Sequence, residues 1–300
     1  MKHILFVDAN VNGLLAVEYA LDSGHCVSYL QPDEADWYPA TPRNQAILAR
    51  LHEERRVPRD AMLDAVLAIN AQKKLDAVVA VFERSIDVAA QAAERLGLIG
   101  PSTAAITRCR DKHAVRAALS KQGVPNVLHA TANSLEQTLK ALEHVGLPSV
   151  IKPRFGAGSM MCAVLRKASD SERFWREIDA RAACLDSIGS GFVEAMRQGF
   201  LIESYIEGQM LSVEIASRRG RHTALMLSER VRSSADELID YRINMPAALG
   251  ASDAQACVAY AGDVLDAIGL TDGIFHVELM LTDAGPLCVE VNPRLMGGYM

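Results

Sequence analysis

Apolar residues along this chain follow two rhythms. Short runs such as Ile4-Leu5-Phe6-Val7, Cys26-Val27-Ser28-Tyr29-Leu30 and Ala77-Val78-Val79-Ala80-Val81-Phe82 predict buried strands. Elsewhere the spacing lengthens. Leu14, Leu15, Val17 and Leu21 predict a helix stopped by Gly24, and Ile86 to Leu96 predict another closed by Gly97. Strand, helix and strand with short links predict a parallel sheet covered by helices on both faces. The polar, proline-bearing stretch from Gln31 to Asn44 is expected to be an irregular loop.

Near residue 100 the pattern changes. Ser102 is placed to cap a short helix and Asp111 to cap a second, Lys112 to Gln122, which Gly123-Val124-Pro125 ends. A helix from Ser134 to Val145 leads to a strand, Ser149-Val150-Ile151-Lys152, then to a glycine-rich loop and the apolar run Met160 to Leu165. From there strands are joined mainly by turns, with helices expected near 170–186 and 252–268. The division expected is 1–100 and 101–300, with a smaller lobe at about 124–205. Near the end, His276–Leu281 and Cys288–Asn292 alternate as strands, and Asp283-Ala284-Gly285 between them predicts a hairpin.

Composition narrows the function classes. The 300 residues are 50% hydrophobic and 23% charged, an ordinary globular balance. A net charge of −6 with scattered basic doublets argues against nucleic acid as the main partner. Six cysteines form no C-x-x-C pair and no zinc spacing, as expected for a reducing cytosol. No signal peptide or membrane span is visible, so a cytoplasmic protein is expected. The chain stops at Gly297-Gly298-Tyr299-Met300, just past its most chemical segment, which raises the expectation of an incomplete C-terminal part.

That segment is the hairpin. Facing strands aim Glu278 and Glu290 from one sheet face, and Asn292 follows Glu290 at the strand period of two. Two carboxylates and a carboxamide make an all-oxygen ligand set suited to Mg²⁺ carrying nucleotide phosphates. Arg294 on the same face can hold an anion. Exposed glutamates on paired strands are common, but these two are flanked by Val277, Leu279, Val289 and Val291, and a buried carboxylate needs a partner.

Lys152 closes a buried strand before Gly156-Ala157-Gly158-Ser159, whose amides can cradle phosphate. A plain hairpin loop is the alternative, since no Walker G-K-[ST] follows; a buried ammonium beside it calls for an anion. Lys112 opens a helix, where a cation is disfavoured unless something negative is near; a solvated lysine is the alternative. Glu203, on a strand that breaks at Gly208, is placed for an adenine exocyclic amine. Asp8 to Gly13 lacks G-x-G-x-x-G, which excludes a Rossmann dinucleotide site, although Asp8 and Asn10 can still touch a ligand; capping is the alternative for Asn10 or Asn12.

Asp111-Lys112, Ile151-Lys152-Pro153, Gly156–Ser159, Glu203-Ser204-Tyr205-Ile206-Glu207-Gly208, His276-Val277-Glu278 and Glu290-Val291-Asn292-Pro293-Arg294 stand in an order that resembles the ATP-grasp superfamily over about residues 100–298. The resemblance implies a Rossmann-like parallel α/β domain followed by an ATP-grasp fold, two α+β lobes holding ATP between them. It implies that Lys112 and Lys152 contact the nucleotide's phosphates and adenine under a lid formed by Gly156, Gly158 and Ser159. Glu203 and the backbone near Tyr205 and Ile206 would read adenine. Glu278, Glu290 and Asn292 would hold one or two Mg²⁺, with Mn²⁺ as a substitute, and Arg294 with Lys152 would serve catalysis.

The layout looks most like L-amino-acid ligases and related carboxylate–amine ligases, which form an amide through an acyl phosphate and release ADP. Arg230, Gly297 and Gly298 are then candidate substrate contacts, with a solvent salt bridge the alternative for the neighbouring Arg232. One departure is Met210 where relatives carry an acid at the ribose, with Glu207 or Glu214 as substitutes. A small carboxylic acid, an amine and a homodimer are the implied partners. A carboxylase, a phosphoribosylamine-type ligase and a nucleotide-binding protein without chemistry are the competing readings.

Overall fold

Alternate residues of the first strand belong to two different cores. The computed structural model describes residues 1–8, 11–33, 41–156, 161–182, 197–233, 238 and 240–297. Its first part contains β1 (His3–Val7), α1 (Val11–Asp22), β2 (Cys26–Pro32), α2 (Pro42–Leu48), β3 (Glu53–Val57), α3 (Met62–Gln72), β4 (Ala77–Ala80) and α4 (Ile86–Leu96). The strands lie parallel in the order β3-β2-β1-β4. Phe6, Val27 and Tyr29 pack with Leu14, Val17 and Ile47 on one face. Leu5, Val7 and Leu30 pack with Met62, Val66, Val88 and Ala92 on the other. Helices on both faces follow from that strict period of two.

Both ends of the stretch expected to be an irregular loop, Gln31 to Asn44, belong to regular elements. Gln31 and Pro32 extend β2, and α2 begins at Pro42, with the Thr41 hydroxyl accepting from Asn44 N at 3.2 Å. Proline suits the first helical position, where no backbone donor is needed. Residues 34–40 lie outside the described residues. The charged β3 was not anticipated. Glu53-Glu54-Arg55-Arg56 carries no apolar rhythm because it is an edge strand, where charge guards an open ladder.

Next come α5 (Thr103–Arg110) and α6 (Lys112–Gln122), capped by Ser102 and Asp111 as the sequence predicts. The elements β5 (His129–Ala132), α7 (Leu135–Val145), β6 (Ser149–Pro153), β7 (Ala163–Leu165), α8 (Ala168–Ala182) and β8 (Phe200–Ser204) form the next unit. Its antiparallel sheet runs β5-β8-β6-β7 and packs Ile151, Phe200 and Ile202 against Phe174, Trp175 and Ile178. All four strands fall within the span expected for a smaller lobe.

The third sheet is antiparallel in the order β11-β10-β9-β12-β13. It is built from β9 (Gln209–Arg218), β10 (Arg221–Arg232), β11 (Asp240–Asn244), β12 (Gly273–Thr282) and β13 (Gly285–Asn292), with α9 (Ala251–Ile268) before β12. Leu211, Val213, Ile215, Phe275, Val277, Leu279, Cys288 and Val291 bury one face against Ile106, Leu119, Val264 and Leu265. The opposite face carries Ser212, Glu214, His276, Glu278 and Glu290 together with Met210 and Met280. At Gly208, before β9, φ is +156° and a β-carbon would run into the Leu281 carbonyl, so only glycine fits the turn.

Regular alternation fails at one place in β13. Cys288 and Val291 both enter the core although they are three residues apart. The register moves from Glu278↔Glu290 to Leu279↔Cys288, so Val289 is the extra residue of a β-bulge. The bulge lets Cys288 join the core while Glu290 stays on the polar face.

Candidate active site

Glu278 on β12 and Glu290 on β13 are direct cross-strand partners, as the hairpin pattern predicts. His276 faces Asn292 one step along, so these four side chains share the face turned away from the core. Glu214 on β9 pairs in register with His276 and joins them. Two carboxylate groups and the Asn292 carboxamide fit a hard cation such as Mg²⁺ in chemistry. Among the described residues, no three His, Cys, Asp or Glu side chains are grouped as a metal cluster.

Each of these oxygens has a cationic neighbour. Lys112 Nζ lies 3.1 Å from Glu290 Oε1, and Arg230 Nη1 lies 3.1 Å from Glu278 Oε1. Arg294 Nη2 reaches Asn292 Oδ1 at 3.5 Å, and its Nε donates to Glu83 Oε2 at 3.0 Å. His276 bonds Glu278 through Nε2 at 3.0 Å and Glu214 through Nδ1. Burial opposes charge on this imidazole, but its bonds to Glu214 and Glu278 overcome that and lift its pKa to about 9. Burial would likewise raise Glu278, yet the His276 bond and the charges of His276, Arg230 and Lys152 hold it at about 2. At neutral pH His276 is therefore doubly protonated and donates from both nitrogens, to Glu214 and Glu278.

A second cluster links the smaller sheet to β13. Glu203 on β8 accepts Arg116 Nε at 2.9 Å through Oε2 and pairs with Lys152 on β6 through Oε1. Lys152 also donates to Val289 O at 3.2 Å, and Arg116 donates to Cys288 O at 2.7 Å and Val289 O at 3.3 Å. The bulge makes this possible: it offers two successive carbonyls of an edge strand to cations on two other elements, α6 and β6. The side chains of Arg116, Glu203 and Lys152 are only 2%, 5% and 8% exposed. Burial pushes the Glu203 carboxyl up, but the two cations outweigh it and hold the pKa at about 2.

The anion that the buried Lys152 requires is thus Glu203. Both Glu203 oxygens are engaged by cations, which differs from an adenine contact through its carboxylate. The anion beside Lys112 is Glu290, and Lys112 also donates to Gly156 O at 2.7 Å. Gly158, Ser159 and Gly298 lie outside the described residues, and Gly297 is exposed. Tyr205 N donates to Pro148 O at 3.1 Å, which fixes the hinge before Ile206. Of the two suggested ribose acids, Glu207 is exposed, whereas Glu214 is buried and accepts Met296 N at 3.1 Å besides bonding His276. Arg232 donates to the Met210 sulfur at 3.5 Å. In the first sheet Asp8 accepts Ser85 Oγ at 2.8 Å and Arg84 Nη2 at 3.3 Å; Asn10 lies outside the described residues.

Sequence reasoning missed Arg116, Glu83 and the buried role of Glu214. Signals existed for two of them. Arg116 follows Lys112 by four and so shares its helix face. Glu214 alternates with Val213 and Ile215 and so must leave the core face. Glu83 carries no local signal, because its partner Arg294 is 211 residues away.

The ATP-grasp domain family matches residues 145–300 of this chain. Human carnosine synthase 1 is 29% identical over 260 residues, covering 83% of this chain and 31% of that protein. Alanine–anticapsin ligase of Bacillus subtilis (strain 168) is 28% identical over 158 residues, covering 53% of this chain and 33% of that protein. The chain thus spans about a third of the length of these curated relatives. Among solved structures, an L-amino acid ligase from Bacillus licheniformis superposes with a TM-score of 0.76 at 22% identity, covering 99% of this chain and 68% of that one.

Proposed function

Because the chain belongs to the ATP-grasp family, we propose that it works as an ATP- and Mg²⁺-dependent carboxylate–amine ligase with an amino acid among its substrates. The observation that carries this reading is the facing pair Glu278 and Glu290, held by Arg230 and Lys112, with Lys152 on the adjoining Val289 carbonyl and Arg294 on Asn292. Two of the relatives are named as a synthase of carnosine and a ligase of alanine, which supports the substrate class. The division into 1–100 and 101–300, with the smaller lobe carrying Lys152 and Glu203, belongs to the same proposal. So does a cytoplasmic setting, which suits the absence of disulfides at Cys26, Cys109, Cys162, Cys257 and Cys288 among the described residues. Among the described residues no helix is long and apolar enough to cross a membrane.

In this reading Glu278, Glu290 and Asn292 hold Mg²⁺, which supplies charge neutralisation for the phosphates; Mn²⁺ can replace it. Lys112 and Lys152 hold phosphate oxygens, and the backbone at Tyr205 and Ile206 meets adenine. Arg230 and Arg294 orient the substrate carboxylate. A carboxylate oxygen bonds to the γ-phosphorus as the bridge to ADP breaks. The amine nitrogen then bonds to the acyl carbon, phosphate leaves with the C–O electrons, and the amine gives up a proton. Catalysis by the chain is positioning and charge compensation.

The test is product analysis with ATP, Mg²⁺ and pooled amino acids. ADP, phosphate and a new amide mass support the ligase. AMP in place of ADP, or no nucleotide turnover with any acid and amine, overturns it.

A further inference from the structure

Arg116 touches none of the groups proposed to meet substrate, yet it is among the largest fully buried side chains in the protein. It leaves α6, the helix that Lys112 opens, and binds both units of the site at once. Toward the smaller sheet it donates Nε to Glu203, whose other oxygen holds Lys152. Toward the larger sheet it donates to the carbonyls of Cys288 and Val289, directly before Glu290. Asn126 Oδ1 accepts from Nη1 at 3.1 Å, and Asn126 Nδ2 returns a bond to Arg116 O at 2.9 Å, so the guanidinium is clamped from behind.

From this arrangement we infer that Arg116 is a positioning residue, which sets Lys152 through Glu203 and sets Glu290 through the bulge at Val289. Glu203 is then an internal counter-ion and does not read the base through its carboxylate. The inference rests on the proposed nucleotide site and adds a residue and a role to it. A planar fork is required. Arg116 meets a carboxylate on one edge and backbone carbonyls on the other, which a lysine ammonium cannot reproduce. If Glu203 loses Arg116, its remaining cationic partner is Lys152, and that pair is no longer held from α6.

The experiment compares the unaltered chain with Arg116→Lys, Arg116→Met, Glu203→Gln and the double variant Arg116→Met/Glu203→Gln. Folding is followed by circular dichroism, ATP and GTP binding by calorimetry, and kcat and KM by ADP release. The expected result is a KM for ATP raised by about tenfold or more in each folded single variant, with a smaller change in kcat. The double variant is expected to be no worse than the worse single one, because both act through one network. The ratio of ATP to GTP affinity stays as in the unaltered chain. Arg116→Lys recovers part of the loss. A folded Arg116→Met protein with unchanged KM overturns the inference, as does loss of ATP-over-GTP preference in Glu203→Gln. Absence of ATP binding by the unaltered chain overturns the nucleotide-site reading itself, and with it this one.

Discussion

Lys112 and Glu290 hold each other at 3.1 Å across the junction of α6 and β13, although a lysine at a helix start faces an unfavourable dipole. Glu290 supplies the missing negative charge: burial opposes the ammonium, and the Glu290 charge more than compensates and raises the lysine pKa. The same carboxylate is the proposed ligand of Mg²⁺. Arg230 stands in the same relation to Glu278.

Metal and nucleotide should therefore bind with strong mutual dependence. Phosphate oxygens draw Lys112 off Glu290, and the freed carboxylate meets the metal. The coupling expected is on the order of tenfold. Removing the nucleotide should leave Mn²⁺ weakly bound, as followed by its paramagnetic resonance. Lys112→Met should strengthen metal binding in the absence of ATP and weaken ATP binding in the presence of metal. Metal affinity that is the same with and without nucleotide counts against this exchange.

Glu290→Ala should abolish ADP formation, a loss of about a hundredfold or more, while circular dichroism stays close to that of the unaltered chain. Glu290 is a quarter exposed, so the Lys112 ammonium left behind can reach water and the fold survives. Normal turnover in this variant would sink the metal assignment.

The hairpin that carries these residues was legible because period-two alternation is local: Val277 and Val291 inward, Glu278 and Glu290 outward. Helix starts at Ser102, Asp111 and Ser134 were legible for the same reason, since a cap bonds its own first turn. The edge strand β3 was not, because its charges answer to its place in the sheet. Nor was the bulge at Val289, where no glycine marks the break. Glu203 illustrates the limit at the site. Its burial was readable from Leu201 and Ile202, but Arg116 comes from a helix 87 residues earlier, and only the fold brings it there.

Acid should reveal the Glu203 network. Its folded pKa of about 2 lies below the ordinary 4.5, so its contribution to stability is fully present above about 4.5 and is lost as pH falls toward 2. Urea unfolding between pH 6 and pH 3 should show falling stability, and Glu203→Gln should flatten that slope. Glu203→Ala should cost about 3–5 kcal/mol, because Arg116 and Lys152 are left as uncompensated buried charges. A Glu203→Gln protein with the unaltered slope removes the carboxylate from this role.

Deletion of Val289 separates the two jobs of β13. Without it Glu290 still faces Glu278, and Cys288 still faces Leu279, so both sheet faces keep their side chains. What disappears is the extra carbonyl that accepts Lys152 and Arg116. Two bonds to charged donors are lost, each worth about 1.5–3 kcal/mol in general, partly regained from water or neighbouring groups. The shortened chain should fold, keep metal-dependent ADP release, and bind ATP about tenfold or more less tightly. Unchanged ATP affinity in the folded deletion variant would show that the Val289 carbonyl does not hold the nucleotide-binding groups in place.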